Sequence, residues 1–208
     1  MKKRDETSKD YLRVVGNGVR AVARALNAEH WSDELAAKKS RVAAFSLLGA
    51  AFTAICAQIA FYLPGNPVPI TMQIFAVLCC GLMLGSKLGA LAQIEYLVVG
   101  MLGAPVFAGF KGGWAYIAGP TGGYLVGFVF AAFAVGLFAE RLGCESMTSR
   151  CLAALVGVVV IYTFGRAWLA VWLGDVSSLK SWMLGVAPFV GLDIAKAMLA
   201  ATLCRGRR

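Results

Sequence analysis

The sequence contains little charge and almost no histidine, and it lacks the motifs of several enzyme classes. Only 15% of its 208 residues are charged, and His30 is the single histidine. It has no GxxxxGK[ST] phosphate loop and no HExxH zinc motif, so the chain does not hydrolyse ATP or peptides by those routes. Because His30 lies in a polar region, no serine within an apolar stretch has a histidine base.

The cysteines show neither a metal-binding spacing nor a disulfide framework, because no CxxC pair recurs. They lie mainly within or beside apolar stretches, where small thiol side chains are ordinary packing residues. We therefore expect no metal and no cofactor in this chain. The six cysteines occupy positions 56, 79, 80, 144, 151 and 204.

Apolar residues make up most of the chain. They account for 59% of the sequence, and the mean hydropathy is +0.72, which is high for a soluble domain of this length. Crossing a bilayer takes about 20 mostly apolar residues in a helix, and such stretches recur after Arg41. We predict an all-α membrane protein with six transmembrane helices. The predicted spans are Val42–Leu63, Ile70–Gly85, Leu88–Val106, Gly119–Glu140, Cys151–Leu173 and Trp182–Cys204.

The second and third spans are joined so closely, through Ser86 and Lys87, that they are expected to form a helical hairpin. The second span is short for a bilayer. It therefore requires local thinning of the membrane or a non-helical extension over Pro67–Thr71.

Positive charge is concentrated before the first span, which divides the chain into a basic segment, 1–41, and a membrane domain, 42–208. Ten of the 20 basic residues lie at or before Arg41. With this segment inside the cell, sixteen of the 20 face the cytoplasm, as expected for short connections in a bilayer. Both termini are thus predicted to be cytoplasmic, and the net charge of +9 reflects membrane topology rather than a nucleic-acid partner. The segment fits either an interfacial amphipathic helix or a poorly ordered basic tail.

Four charged residues fall inside predicted spans, where they cost about 2.5–3.5 kcal/mol each. They are Glu95, Arg166, Asp193 and Lys196. Asp193 and Lys196 are three residues apart and share a helix face, and they fall in the outer half of the bundle with Arg166 and Gln73. This arrangement predicts an outward-facing polar pocket for a small solute with a carboxylate and an amide-like ring. Alternatively, Glu95 pairs with Arg166 and Asp193 with Lys196, only to let the helices insert.

The connection after the third span is rich in glycine and aromatic residues. Gly109, Gly112 and Gly113 would serve as hinges of a lid, and Trp114 or Tyr116 would stack on an apolar ligand. An exposed linker with interfacial aromatic anchors is the alternative.

Four segments in order carry a resemblance to a known family. They are NPVPITMQ at Asn66–Gln73, GAPVFAG at Gly103–Gly109, GPTGGYLVGF at Gly119–Phe128 and PFVGLDIAK at Pro188–Lys196. Together they resemble the BioY family, the biotin-binding substrate components of energy-coupling-factor (ECF) transporters. The resemblance runs from about Ala50 to Leu203.

This resemblance implies a six-helix bundle in a prokaryotic cell membrane that captures biotin outside the cell and is not an enzyme. The loops after the first and third helices would close over the vitamin. A separate membrane scaffold subunit and ATPase subunits would drive delivery, so ATP would be used only by those partners. The candidate ligand-binding residues are Asp193, Lys196, Gln73, Arg166, Glu95, Tyr162, Gly122 and Tyr124.

Ala50 and Ala54 match the AxxxA pattern that, in this family, forms the docking face for the scaffold. Glu95 and Arg166 depart from the apolar family pattern, and they would either pair with each other or alter the polar contacts of the ligand. Two other functions remain open. One is a substrate component for another small vitamin, and the other is an intramembrane enzyme using Glu95 and Asp193.

Overall fold

The computed structural model describes residues 17–18, 38–143, 145–174 and 178–204. The chain divides into two compact units, Met1–Ala43 and Ala44–Arg208. The predicted amphipathic helix of the basic segment lies outside the described residues. The helices are α1 Lys38–Gln58, α2 Gln73–Leu84, α3 Ser86–Met101, α4 Trp114–Ile117, α5 Gly122–Leu142, α6 Met147–Trp172, α7 Ser178–Gly185 and α8 Val190–Leu203. Two short strands, β1 Ala60–Phe61 and β2 Ile70–Thr71, pair antiparallel.

Within the described residues, three helices are long and apolar enough to cross a membrane. They are α1, α5 and α6, and a fourth span results if α7 and α8 are counted as one bent crossing. At about 1.5 Å per residue, the 12-residue α2 and the 16-residue α3 are each shorter than a hydrocarbon core of about 30 Å. The chain is thus a mostly helical membrane protein.

The first predicted span ends earlier than expected, and the all-α prediction is wrong at this point. Helix α1 stops at Gln58, and β1 follows within the predicted range Val42–Leu63. Prolines and a turn at Gly65, where φ is +77°, prevent helix between the strands. Of the two alternatives for the short second span, the structure has the non-helical extension, because β2 and then Met72 precede α2.

The predicted hairpin of the second and third helices is confirmed, with its break at Gly85. Gly85 has a φ of +83°, a backbone conformation that residues with a side chain rarely adopt. The carboxylate of Glu140, at the end of α5, accepts hydrogen bonds from the Ser86 backbone N–H at 2.8 Å and from the Ser86 hydroxyl. An anion placed at the N-terminus of α3 stabilises that helix.

The predicted sixth span, Trp182–Cys204, is two helices rather than one. Helices α7 and α8 are separated by a turn at 186–189 and are bent by 50°. Pro188 lies in this turn, where it has no N–H to donate and cannot continue α7. The bend brings the start of α8 against α6 and α2.

Helix α5 lies at the centre of the bundle and packs against α2, α3 and α6, while α8 packs against α2 and α6. Small residues allow these close contacts. A Cβ added to Gly81 would lie 2.7 Å from Val135 Cβ, and one added to Gly136 would lie 2.2 Å from the Ser86 nitrogen. Four helices, α2, α5, α6 and α8, thereby surround one region near the β1–β2 hairpin.

Candidate ligand-binding cavity

A small cavity lies where these helices meet the β1–β2 hairpin and the connection that contains α4. Its volume is about 40 Å³, enough for a few water molecules. Its wall combines a few polar side chains with a larger apolar area, as is typical of small-molecule sites. The lining residues are Val68, Pro69, Thr71, Gln73, Ile74, Tyr116, Thr121, Tyr124, Leu125, Tyr162, Phe189, Asp193 and Lys196.

Asp193 and Lys196 form a buried ion pair on α8. Lys196 Nζ lies 2.7 Å from Asp193 Oδ1. Lys196 is 8% exposed and Asp193 is 1% exposed. Lys196 Nζ also donates to the Thr71 carbonyl at 2.7 Å. The Tyr162 hydroxyl donates to Asp193 Oδ2 at 2.6 Å. Each carboxylate oxygen therefore has a partner, which offsets part of the cost of burying the charges.

Gln73 begins α2 and belongs to a chain of hydrogen bonds. Its Oε1 accepts from the Thr71 hydroxyl at 3.0 Å, and its Nε2 donates to the Tyr96 hydroxyl at 2.7 Å. Tyr96 in turn donates to the Val106 carbonyl at 3.1 Å. This chain fixes the orientation of the Gln73 amide and joins the cavity wall to the connection after α3.

Tyr124 is held in a slot between two glycines. A Cβ added to Gly165 would lie 2.2 Å from the Tyr124 ring, and one added to Gly185 would lie 2.4 Å from the Tyr124 hydroxyl. The hydroxyl donates to the Gly185 carbonyl at 2.7 Å. Gly122 does not line the cavity, but a Cβ there would meet the Ile117 carbonyl, so this glycine lets α5 begin close to α4.

The connection between α3 and α5 contributes one aromatic residue to the cavity. Tyr116 lines the wall and stacks on Phe107, with ring centroids 5.0 Å apart. Burial raises the pKa of the Tyr116 hydroxyl, so this hydroxyl stays protonated at physiological pH. Trp114, the other predicted stacking residue, is 69% exposed and does not line the cavity.

Glu95 and Arg166 lie away from the cavity lining and do not pair with each other. Glu95 Oε1 accepts from the Ser46 hydroxyl at 2.8 Å, across the α1–α3 contact. Glu95 Oε2 and Arg166 Nε are buried and have no hydrogen-bond partner among the described residues. Of the two predicted neutralising pairs, the structure forms only Asp193 with Lys196.

The structure places Ala50 inside the bundle and Ala54 at its margin. Ala50 is 7% exposed and belongs to the hydrophobic core, against which Ala54 packs. In this conformation the exposed side of α1 combines large apolar side chains with alanines. From Ala44 to Ile55 the exposed residues are Ala44, Phe45, Leu47, Leu48, Ala51, Phe52 and Ile55.

Sequence reasoning missed several parts of the wall, including one backbone carbonyl and one aromatic side chain. The Thr71 carbonyl that binds Lys196 is a backbone atom and leaves no signal in the sequence. Phe189 lines the cavity and precedes Asp193 by four residues, a spacing that places two helical residues on one face. That spacing was a usable signal.

The geometry defines a class of protein: a helical membrane protein that holds a paired carboxylate and ammonium group, with tyrosine hydroxyls, in a small cavity. Such a site can bind a neutral solute that has both N–H donors and a carbonyl acceptor. The described residues contain no cluster of three or more metal-ligating side chains.

Comparison with known proteins identifies the family. Residues 28–208 match the BioY family, and the chain belongs to that family. It is 42% identical over 165 residues to a probable biotin transporter BioY from Pyrococcus horikoshii, covering 79% of this chain and 94% of that protein. The biotin transporter BioY of Thermotoga maritima is 40% identical over 141 residues, covering 68% of this chain and 81% of that protein.

A solved structure has the same fold. The S-component for biotin from an ECF-type ABC transporter superimposes with a TM-score of 0.74 at 28% identity. The match covers 81% of this chain and 90% of that one.

Proposed function

We propose that this chain is the substrate-binding component of an ECF-type transporter and that it captures biotin in the cavity around Asp193 and Lys196. The observation that carries the proposal is the Asp193–Lys196–Tyr162 cluster in a member of the BioY family. The names of its relatives supply the ligand, and the chemistry of the cavity agrees with it.

The ureido ring of biotin has two N–H donors and one carbonyl acceptor. The Asp193 carboxylate would accept from the ring N–H groups, and Lys196 would donate to a carbonyl or carboxylate oxygen. The thioether ring and the aliphatic chain of biotin would pack against the apolar wall. That wall includes Val68, Ile74, Tyr116, Leu125 and Phe189.

Binding would require the lining to move apart, because a volume of about 40 Å³ is too small for a bicyclic ligand with a side chain. The hairpin and the α4 connection line the cavity and have less regular backbone than the helices around them. Gly109 and Gly113 lie in this connection with φ values of +72° and +90°. We propose that these two segments open to admit biotin.

We propose six membrane crossings with both termini in the cytoplasm, in the cell membrane of a prokaryote. Helices α2 and α3, with the hairpin segments, would count as two of the six. The positive-inside distribution supports this orientation, because the outer connections contain only Lys111 and Lys180. The cavity would then open outward, where an importer must first bind its solute.

Delivery of biotin into the cell would depend on a separate scaffold subunit and ATPase subunits, because this sequence has no phosphate loop. The family pattern suggests α1 as the docking helix. In the closed conformation the Ala51 side of α1 is exposed, whereas Ala50 would contact a scaffold only after α1 moves.

The two rival functions have less support. An intramembrane enzyme would need Glu95 and Asp193 to face one reaction site, but Asp193 lines the cavity and Glu95 binds Ser46 elsewhere. A substrate component for another vitamin would use the same fold with different cavity chemistry. The relatives are named for biotin, which favours biotin.

Uptake measurements with competitors test the proposal. Cells that express the chain with an ECF scaffold and ATPases should accumulate labelled biotin, and unlabelled biotin should suppress the signal. Excess thiamine or riboflavin should leave it unchanged. No accumulation of labelled biotin, together with accumulation of another labelled vitamin, would reject the biotin assignment and retain the transport class.

A further inference from the structure

Helix α7 ends inside the protein, and its last carbonyl groups need partners from elsewhere in the chain. The final four carbonyls of a helix have no partner within the helix, and in a membrane an unsatisfied carbonyl is costly. Two side chains from distant elements each bind one of these carbonyls. The Asn66 Nδ2 donates to the Leu184 carbonyl at 2.9 Å, and the Tyr124 hydroxyl donates to the Gly185 carbonyl at 2.7 Å.

Asn66 has a second contact that makes it a link rather than a simple cap. It lies at the turn between β1 and β2, where its Oδ1 accepts from the Val68 backbone N–H at 2.9 Å. One amide group therefore holds the hairpin turn with its oxygen and α7 with its nitrogen. At the other end of the same segment, the Thr71 carbonyl accepts from Lys196.

Between these two attachments lie Val68 and Pro69, which line the cavity. The segment from Asn66 to Thr71 is thus a strap, tied to α7 at one end and to α8 at the other. Both ties reach the same helix pair, which is bent by 50° and carries Asp193 and Lys196 on its second helix. Opening the strap requires the Asn66–Leu184 bond to break, whereas the turn bond to Val68 can persist.

We infer that Asn66 is a positioning residue that fastens this strap to α7 and slows the release of bound ligand. The inference rests on the proposed binding of biotin in the cavity. One hydrogen bond of ordinary strength contributes about 0.5–1.5 kcal/mol, and its loss from the closed state corresponds to release that is about two- to twelvefold faster.

Asn66→Asp separates the two contacts of the amide. Aspartate keeps the oxygen that accepts from Val68 but has no N–H to donate to Leu184. Release of labelled biotin, measured by chase with unlabelled biotin, should be about two- to twelvefold faster than in the wild type. The association rate should not fall, and the bound stoichiometry should stay the same. Asn66→Ala, which removes both contacts, should release biotin at least as fast.

Asn17→Asp provides the matched control, because it makes the same chemical change at an exposed residue. Its release rate should equal that of the wild type. A release rate in Asn66→Asp within about 1.5-fold of the wild type would overturn the inference, as would an equal loss of association rate and stoichiometry.

Amide hydrogen exchange without biotin tests the strap independently of the ligand. Exchange at 186–190, just after the held carbonyls, should be faster in Asn66→Asp than in the wild type and in Asn17→Asp. Unchanged exchange would reject the link to α7. If the wild type fails to bind biotin but exchange accelerates as expected, the proposed function fails and the structural link stands.

Discussion

At the scale of single residues, the site depends on a carboxylate whose two oxygens are both occupied. Asp193 accepts from Lys196 through one oxygen and from Tyr162 through the other. Since both donors are part of the cavity wall, a ligand N–H that binds this carboxylate meets an acceptor already held in place. Preorganisation of this kind reduces the entropic cost of binding.

Asp193→Asn tests the carboxylate directly. The substitution removes the charge and puts an amide N–H where an acceptor stood, so biotin affinity should fall by about ten- to a hundredfold. Calorimetric titration of the purified protein in detergent measures this change. Glu95→Gln is the matched control, because it neutralises an intramembrane carboxylate that lies outside the cavity lining. Unchanged affinity in Asp193→Asn, or an equal loss in Glu95→Gln, would contradict the assignment.

Tyr162→Phe tests the orientation of the same carboxylate. Loss of the 2.6 Å hydrogen bond frees one oxygen of Asp193 while leaving the apolar ring in the wall. We expect affinity to fall by about fivefold, the effect of one hydrogen bond. The same titration measures it, and a result equal to that of the wild type would show that Tyr162 does not orient Asp193.

Sequence reasoning succeeded for these residues where the relation was local. The spacing of Asp193 and Lys196 on one helix predicted a shared face, and the structure pairs them. It did not succeed for Glu95 and Arg166, whose partners depend on which helices are neighbours. Glu95 lies against α1 and binds Ser46, a relation that a single sequence does not reveal.

At the scale of elements, the bundle depends on close approach between helices that carry small residues. Burial of apolar surface contributes little to the association of helices in lipid, so packing contacts and buried hydrogen bonds hold the helices together. Helix α5 meets the α2–α3 turn at Gly136, and Glu140 on the same helix binds Ser86 at that turn. This corner fixes the position of α2, which carries Gln73.

Gly136→Ala should destabilise this corner. The added methyl group would lie 2.2 Å from the Ser86 nitrogen. This atom belongs to the backbone, so no side-chain rotation can relieve the clash. Overpacking of this kind costs about 1–3 kcal/mol, so the apparent melting temperature in detergent should fall by several degrees. Gly191→Ala is the control, because nothing lies within 4 Å of that Cβ position in α8. Equal melting temperatures for the two variants would contradict the packing account.

The helices could be predicted where the length of an apolar stretch or the position of a proline defines their ends. Long apolar stretches predicted α5 and α6 to within a few residues, and the short join at Ser86 predicted the hairpin. The β1–β2 pair was not predictable, because two-residue strands carry no periodic signal. Pro188 marked the break between α7 and α8, yet the apolar pattern continued across it and favoured one span.

At the scale of the whole molecule, orientation decides whether the cavity opens toward the solute. In the proposed orientation, Lys111 lies outside the cell and Lys87 lies inside. In intact cells, a membrane-impermeant maleimide should label Lys111→Cys, whereas Lys87→Cys should react only after permeabilisation. Both residues are exposed in the structure, and the wild-type chain gives the background of its native cysteines. The reverse pattern would show that the bundle is inserted in the opposite direction.

The central claim is that this member of the BioY family binds biotin in the cavity at Asp193 and Lys196. The most direct test is a calorimetric titration of the purified wild-type chain with biotin, without any partner subunit. We predict saturable binding at one biotin per chain, with no product formed from biotin. A titration with no heat of binding, together with no biotin retained on gel filtration, would contradict the account.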